Sequence, residues 1–213
     1  MSSPAVNVLP HMSHGLRAAD PTVTTVRTLL KGDDIARIFS LAELLKKDQA
    51  PLSYDNTLRA AAELPFGLTA PHQSVFLHRN GSFARHNSDI LGRIVNAMLQ
   101  TQPGGSKSAK LGVRTIELHS YRTSGGLLDP EHCDMGSALT LSCLLVDPEL
   151  FSGGIFVTFD NKQPRYHRDL ACGDAIVFDS ELRHNVTAIT RGMRHSLVVE
   201  LWEGPDNEYD RHS

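Results

Sequence analysis

The chain has 213 residues, 40% hydrophobic and 21% charged, with a formal net charge of −3 and a pI near 6.4. A chain of this size buries one substantial core, so a single domain is the simplest count, and the acidic balance excludes the broad basic footprint of a general nucleic-acid binder. Three cysteines, Cys133, Cys143 and Cys172, give no paired framework and no Cys-x-x-Cys motif, which argues against a disulfide-stapled secreted domain.

Residues 1–21 scatter Ser, Pro, His and Gly without periodicity and read as a flexible N-terminal arm, leaving 22–213 as one domain. Met1 to Asp20 lacks the basic start and apolar run of a signal peptide, and no apolar stretch approaches a membrane span, so the cytoplasm is the expected location. Val23 to Leu30 reads as a strand. From Asp33 to Lys47, Ile35, Ile38, Phe39, Leu41, Leu44 and Leu45 recur at helical spacing, and a second helix is expected within Tyr54 to Leu64. Asn80-Gly81, flanked by Val75-Phe76-Leu77-His78 and Ser82-Phe83-Ala84-Arg85, predicts a hairpin. A third helix runs from an Asn87 or Ser88 cap to about Gln100, with Ile90, Leu91, Ile94, Val95 and Met98 on one face. Thr101 to Ala109 is a linker into the catalytic core, expected at about 110–203.

Beyond the linker the period changes to two. Val113, Thr115, Glu117, His119 and Tyr121 share a mostly polar face, opposite Ile116 and Leu118. Leu139, Leu141, Cys143 and Leu145 alternate with Thr140 and Ser142; the first set packs against helices and the second faces a cavity. Gly153-Gly154 opens a strand at Ile155-Phe156-Val157. Lys162 to Arg168 is a basic cluster read as a solvated loop, with steering of an acidic substrate as the alternative. Gly173-Asp174 is a turn. In the last strand Leu197, Val199 and Leu201 alternate with Ser196, Val198, Glu200 and Trp202. Short strands separated by glycine or acidic turns, with helices on one side, predict a mainly β, jelly-roll-like sandwich.

His132-Cys133-Asp134 is followed by His184, fifty-two residues after His132. On a strand, His132 and Asp134 point to one side and Cys133 to the other. Two imidazoles and one carboxylate form the facial set that suits Fe(II) and leaves coordination positions open, whereas a structural zinc site closes them and recruits thiolates. Arg194 and Ser196 fall on one face of the last strand with His195 reversed. A guanidinium beside a hydroxyl suits a carboxylate, and Arg194 leads into an apolar run where a buried, unpaired charge is costly.

Tyr121, the His-x-Asp pair, Gly153-Gly154, Gly173 to Phe178, His184-Asn185-Val186 and Thr190-Arg191-Gly192-Met193-Arg194 stand in one order over about eighty residues. This segment resembles the 2-oxoglutarate and Fe(II)-dependent dioxygenase superfamily, and most its prolyl 4-hydroxylase branch. The resemblance implies a double-stranded β-helix (jelly roll, cupin-like) core, iron on His132, Asp134 and His184, and the distal carboxylate of 2-oxoglutarate on Arg194 and Ser196. It also implies dioxygen as co-reactant, ascorbate as an optional accessory, and Tyr121 and Thr140 as candidate cosubstrate contacts. His119 is expected in the pocket wall. Prolyl hydroxylases often carry a tyrosine on the strand after the metal pair; this chain has none between Tyr121 and Tyr166, which leaves part of that pocket unassigned. Asp134 retains the carboxylate that related halogenases replace, favouring hydroxylation. Arg191 and Arg194 do not reproduce the paired arginines of the nucleic-acid demethylases. The substrate expected is therefore a peptidyl proline, an amino acid or a small metabolite, with no membrane and no nucleic acid. A cupin-like enzyme that does not use 2-oxoglutarate and a non-catalytic binding protein are the rival classes.

Overall fold

The structure is a computed structural model that describes residues 23–46, 52–54, 71–101, 110–129, 131–160 and 163–209. In chain order these form β1 (Val23–Val26), α1 (Gly32–Leu45), β2 (Leu52–Tyr54), β3 (His72–Phe76), α2 (Ser82–His86), α3 (Ser88–Gln100), β4 (Gly112–Tyr121) and β5 (Leu139–Leu144). There follow β6 (Ser152–Gly153), β7 (Phe156–Asp160), β8 (Gln163–His167), β9 (Ala175–Asp179), β10 (His184–Val186), β11 (Ile189–Arg191) and β12 (Arg194–Trp202). The major sheet has the order β1-β9-β5-β12-β4-β3-β2, with every neighbouring pair antiparallel. Facing it, β10-β7-β8 and the short pair β11-β6 make the opposite wall. This is the jelly-roll-like sandwich that the alternation of residues predicts, and the double-stranded β-helix that the resemblance implies.

Each face of the major sheet has its own core, as strict alternation demands. Leu139, Leu141, Cys143, Leu197, Val199 and Leu201 pack with Ile35, Ile38 and Leu41 of α1 and Ile90, Ile94 and Met98 of α3. On the other face Tyr121, Leu144, Phe156, Ile176, Phe178, Val186 and Ile189 join the two sheets. The first helix begins where the N–H of Lys31 donates to Asp34 Oδ2 at 2.9 Å, and Asp34 also pairs with Arg93 of α3 at 2.7 Å.

Four expectations need correction. Asn80 and Gly81 do adopt the positive φ values of a tight turn, 53° and 64°, but the second arm is helical: α2 starts at Ser82, and the N–H of Phe83 donates to Leu77 O. Phe83 is thereby fully enclosed in the helix-side core, and its burial outweighs a short edge pairing. The basic cluster is not a loop from Gln163 onward, because β8 pairs in register with β7, Pro164 opposite Phe159 and His167 opposite Phe156. His132 and Asp134 sit on an extended loop instead of a strand, anchored where His132 O accepts from the N–H of His184 and the N–H of Asp134 donates to Ser180 O. The strand predicted from Val23 is shorter than expected and ends at Val26. Tyr54 closes β2, while the remainder of the helix expected to Leu64, the arm at 1–21 and residues 102–109 of the linker lie outside the described residues.

Candidate active site

Between the two walls lies a cavity of about 260 Å³. The loop before β5 brings in His132 and Asp134, and β10 brings in His184; all three ligand atoms lie within 4.8 Å of one another. His132 Nε2 is 3.2 Å from Asp134 Oδ1, and His184 Nε2 is 3.5 Å from Asp134 Oδ2. Three donors held about 2.1 Å from one ion at right angles stand roughly 3 Å apart, so this set fits a facial metal site. The Nδ1 of His184 donates to Leu182 O at 3.0 Å, which leaves the Nε2 lone pair aimed inward. The Asp134 Oδ2 atom accepts from Thr140 Oγ1 at 2.8 Å, and Thr140 is bonded in turn to Ser180 Oγ at 2.9 Å. Asp134 and His184 are buried, while His132 keeps a quarter of its side chain exposed and opens the site to solvent.

Arg194 lies at the first position of β12, fully buried, paired across the sheet with Tyr121. Its Nη1 donates to Ser196 Oγ at 3.0 Å, and its guanidinium stands 5.6 Å from the Tyr121 ring centroid. Among the described residues no carboxylate pairs with it. Burial pushes its pKa below the ordinary arginine value, the electrostatic cost of a charge removed from water without a counter-ion. Gly154 makes room for this side chain: it sits at φ 59°, and a Cβ there would meet Ile189 Cδ1 at 2.4 Å and Arg194 Cδ at 2.9 Å. His195 points the other way, as its position in the alternation requires. It meets Phe39 edge to face and bonds Ser120 Oγ at 2.9 Å.

The structure therefore brings His132, Asp134, His184, Thr140 and Tyr121 to one cavity, and sets Arg194, with Ser196 bonded to it, beside Tyr121. Thr140, expected against the cosubstrate, makes its hydroxyl contact with the Asp134 carboxylate. Sequence reasoning missed His72. Its ring stacks on Tyr121 with centroids 4.3 Å apart, and its Nε2 lies 2.7 Å from Nδ1 of His119, whose Nε2 is 3.1 Å from Glu117 Oε2. With the carboxylate as terminal acceptor, protons run in one direction: His72 donates to His119 and His119 donates to Glu117. Burial, with His119, His132 and Arg194 adding to it, pushes the His72 pKa down to about 2, so the ring is neutral. It lines the cavity wall beside Tyr121. No motif flags His72, since its place beside Tyr121 comes from the pairing of β3 with β4. Glu117 was legible as a polar-face residue of β4, and Glu200 as a member of β12, but neither as a wall of this cavity.

No family model and no curated protein matches the chain. Among solved structures it is similar to a 2OG-Fe(II) oxygenase family oxidoreductase from Burkholderia pseudomallei, with 18% identity, 88% of each chain covered and a TM-score of 0.57. It is also similar to a prolyl hydroxylase from Trichoplax adhaerens in complex with a hypoxia inducible factor peptide fragment (10% identity, 86% of this chain and 84% of that one, TM-score 0.59). The alpha-ketoglutarate-dependent carbocyclase SnoK from nogalamycin biosynthesis aligns over 84% of this chain and 79% of its own, at 13% identity and a TM-score of 0.61. The fold is thus the double-stranded β-helix of the 2-oxoglutarate and Fe(II) oxygenases, prolyl hydroxylases included.

Proposed function

We propose that this protein is a 2-oxoglutarate-dependent Fe(II) dioxygenase that hydroxylates a C–H bond of a peptidyl proline, an amino acid or a small metabolite. One observation carries the reading: two imidazoles and a carboxylate converge on one point in a cavity that Tyr121 also lines, and a fully buried guanidinium, Arg194, with no carboxylate partner among the described residues, stands 5.6 Å from the Tyr121 ring centroid. A dianionic 2-oxo acid satisfies both ends at once. The overall reaction balances as one substrate C–H, one 2-oxoglutarate and one dioxygen giving one C–OH, succinate and carbon dioxide.

His132, Asp134 and His184 would hold the iron, which when bound supplies dioxygen activation and hydrogen-atom abstraction beyond the reach of protein side chains. Arg194 would grip the distal carboxylate by charged hydrogen bonds, with Ser196 fixing the plane of the guanidinium and offering its own hydroxyl. Tyr121 and the neutral His72 wall that end. Thr140 holds Asp134 in its ligating orientation, and Phe156, Phe178 and Val186 keep water from the reacting centre. We assign this work to one domain over residues 22–213, with the catalytic core at about 110–203 and a small-molecule or peptide substrate. No described helix is long and apolar enough to cross a membrane.

The test is succinate formation from 2-oxoglutarate with Fe(II) under air, scored against His132→Ala, Asp134→Ala and Arg194→Ala, with circular dichroism as the check on folding. The first two variants should lose turnover; the third should raise the KM for 2-oxoglutarate by at least about 30-fold, the effect of removing one partner of a buried charge pair. Succinate release that survives in His132→Ala would sink the ligand assignment.

A further inference from the structure

A second cavity, of about 190 Å³, lies beside the one that holds the three ligands. Arg168 and Arg194 both line it, and no carboxylate does. The metal cavity, by contrast, has no arginine or lysine in its lining. Arg168 and Pro148 are exposed, and Phe151, Ser152 and Ile155 are half-buried, so the second cavity has its own mouth at the surface. Arg194, fully enclosed, stands at its inner end.

The two cavities meet between the walls. On one face of β5, Thr140 and Ser142 line the metal cavity and Leu144 lines the second, so about 13 Å of strand leads from one to the other. Phe156 lines both, its ring centroid 5.8 Å from that of His184 and 5.8 Å from that of His167, and forms the partition. Ser196 is opposite Leu144 and accepts from Arg194 Nη1, while the guanidinium stands 5.6 Å from the ring of Tyr121 in the metal cavity. Arg194 is therefore at the junction.

Charge gives this route a direction. Among the described residues Arg168 pairs with no carboxylate, its guanidinium lying 5.1 Å from the Tyr166 ring centroid at the surface. An exposed cation at the mouth draws an anion through solvent, and an enclosed one at the inner end, where the field is less screened, holds it more firmly.

Resting on the dioxygenase reading above, we propose that 2-oxoglutarate enters through this second cavity, steered by Arg168 and led by its 2-oxo acid end, until Arg194 catches the trailing carboxylate. Passage requires the Phe156 ring to swing aside. Succinate, which keeps the trailing carboxylate, leaves by the same route. The opening at His132 is left to the primary substrate, so cosubstrate exchange does not wait for that substrate to depart. The basic cluster that ends at Arg168 thereby gains a ligand to steer, the dianionic cosubstrate.

Anaerobic stopped-flow mixing of the Fe(II)-loaded full chain with 2-oxoglutarate, followed by the visible charge-transfer band, reads the association rate constant without turnover. Should no band form at any concentration, the dioxygenase reading falls and this proposal with it. Given the band, Arg168→Glu should slow association at least about tenfold near 0.01 M ionic strength, and the deficit should shrink below about threefold near 0.5 M, where a screened charge steers little. Arg168→Lys keeps the charge and should associate like the parent. Arg183→Glu makes the same charge change at the other opening, where Arg183 bonds Glu131 beside His132, and should leave the rate within about twofold. An unchanged rate in Arg168→Glu, or an equal slowing in Arg183→Glu, would overturn the second entrance and leave the dioxygenase reading standing. If Arg183→Glu does not bind iron, the contrast between Arg168→Glu and Arg168→Lys still decides, because Arg168 is exposed and its replacement disturbs no core.

Discussion

Asp134 is held at several points: its N–H donates to Ser180 O at 2.8 Å, its Oδ2 accepts from Thr140, and its Oδ1 faces His132 Nε2. Groups bonded to a metal ligand commonly contribute 10- to 100-fold in metal affinity by fixing its orientation. Thr140→Val removes the hydroxyl and keeps the shape, so Fe(II) affinity should fall by about that factor with little change in unfolding midpoint; competition titration against a chelator reads it, and an unchanged affinity would mean that the bond orients nothing. The alternation around Leu139 and Leu141 is enough to place Thr140 in the cavity. Its partner is not legible, because Asp134 lies six positions earlier, on a loop and turn that no periodicity describes.

At the scale of elements, the helices illustrate what amphipathic spacing achieves. Ile94 is fully buried on α3 against the major sheet, whereas Leu99 on the same helix is 44% exposed. Ile94→Ala should therefore cost about 2–5 kcal/mol and Leu99→Ala less than about 0.5 kcal/mol, read from urea unfolding midpoints at constant slope. Equal losses would mean that α3 does not cover the sheet as described. The misread hairpin belongs to this scale too: Asn80-Gly81 specifies a turn, but the choice between strand and helix afterwards rests on where Phe83 finds its core. The loop predicted for Gln163 onward fails for a related reason, since β8 has little apolar alternation of its own and is ordered by β7.

For the whole molecule, two desolvated imidazoles contribute to the response to acid. Desolvation lowers His195 to about 4, with Lys46, Arg194 and Arg122 adding repulsion, and lowers His72 to about 2. The ordinary value is 6.5, so on acidification the unfolded chain takes up protons first and the folded state loses ground. Stability of the metal-free protein should be complete above about pH 6.5 and decline steadily toward pH 4, where His195 itself titrates, with the part due to His72 continuing lower. Thermal midpoints across pH 4–8 measure this. His195→Gln should flatten the slope between 6.5 and 4, and a slope identical to that of the parent would exclude His195 as a source.

The sequence by itself determined the alternation of the strands, the apolar faces of α1 and α3, and the choice of His132, Asp134, His184 and Arg194 as candidates. These follow from local period and from the narrow chemistry that two histidines, a carboxylate and a buried guanidinium can share. Tertiary structure alone decided that His72 stacks on Tyr121, that Thr140 bonds Asp134, and that Glu117 and Glu200 line the same cavity as His132, Asp134 and His184. Those relations depend on the register between β3, β4, β5 and β12, strands far apart in the chain. Register is fixed by the packing of whole faces, which no short stretch of residues encodes.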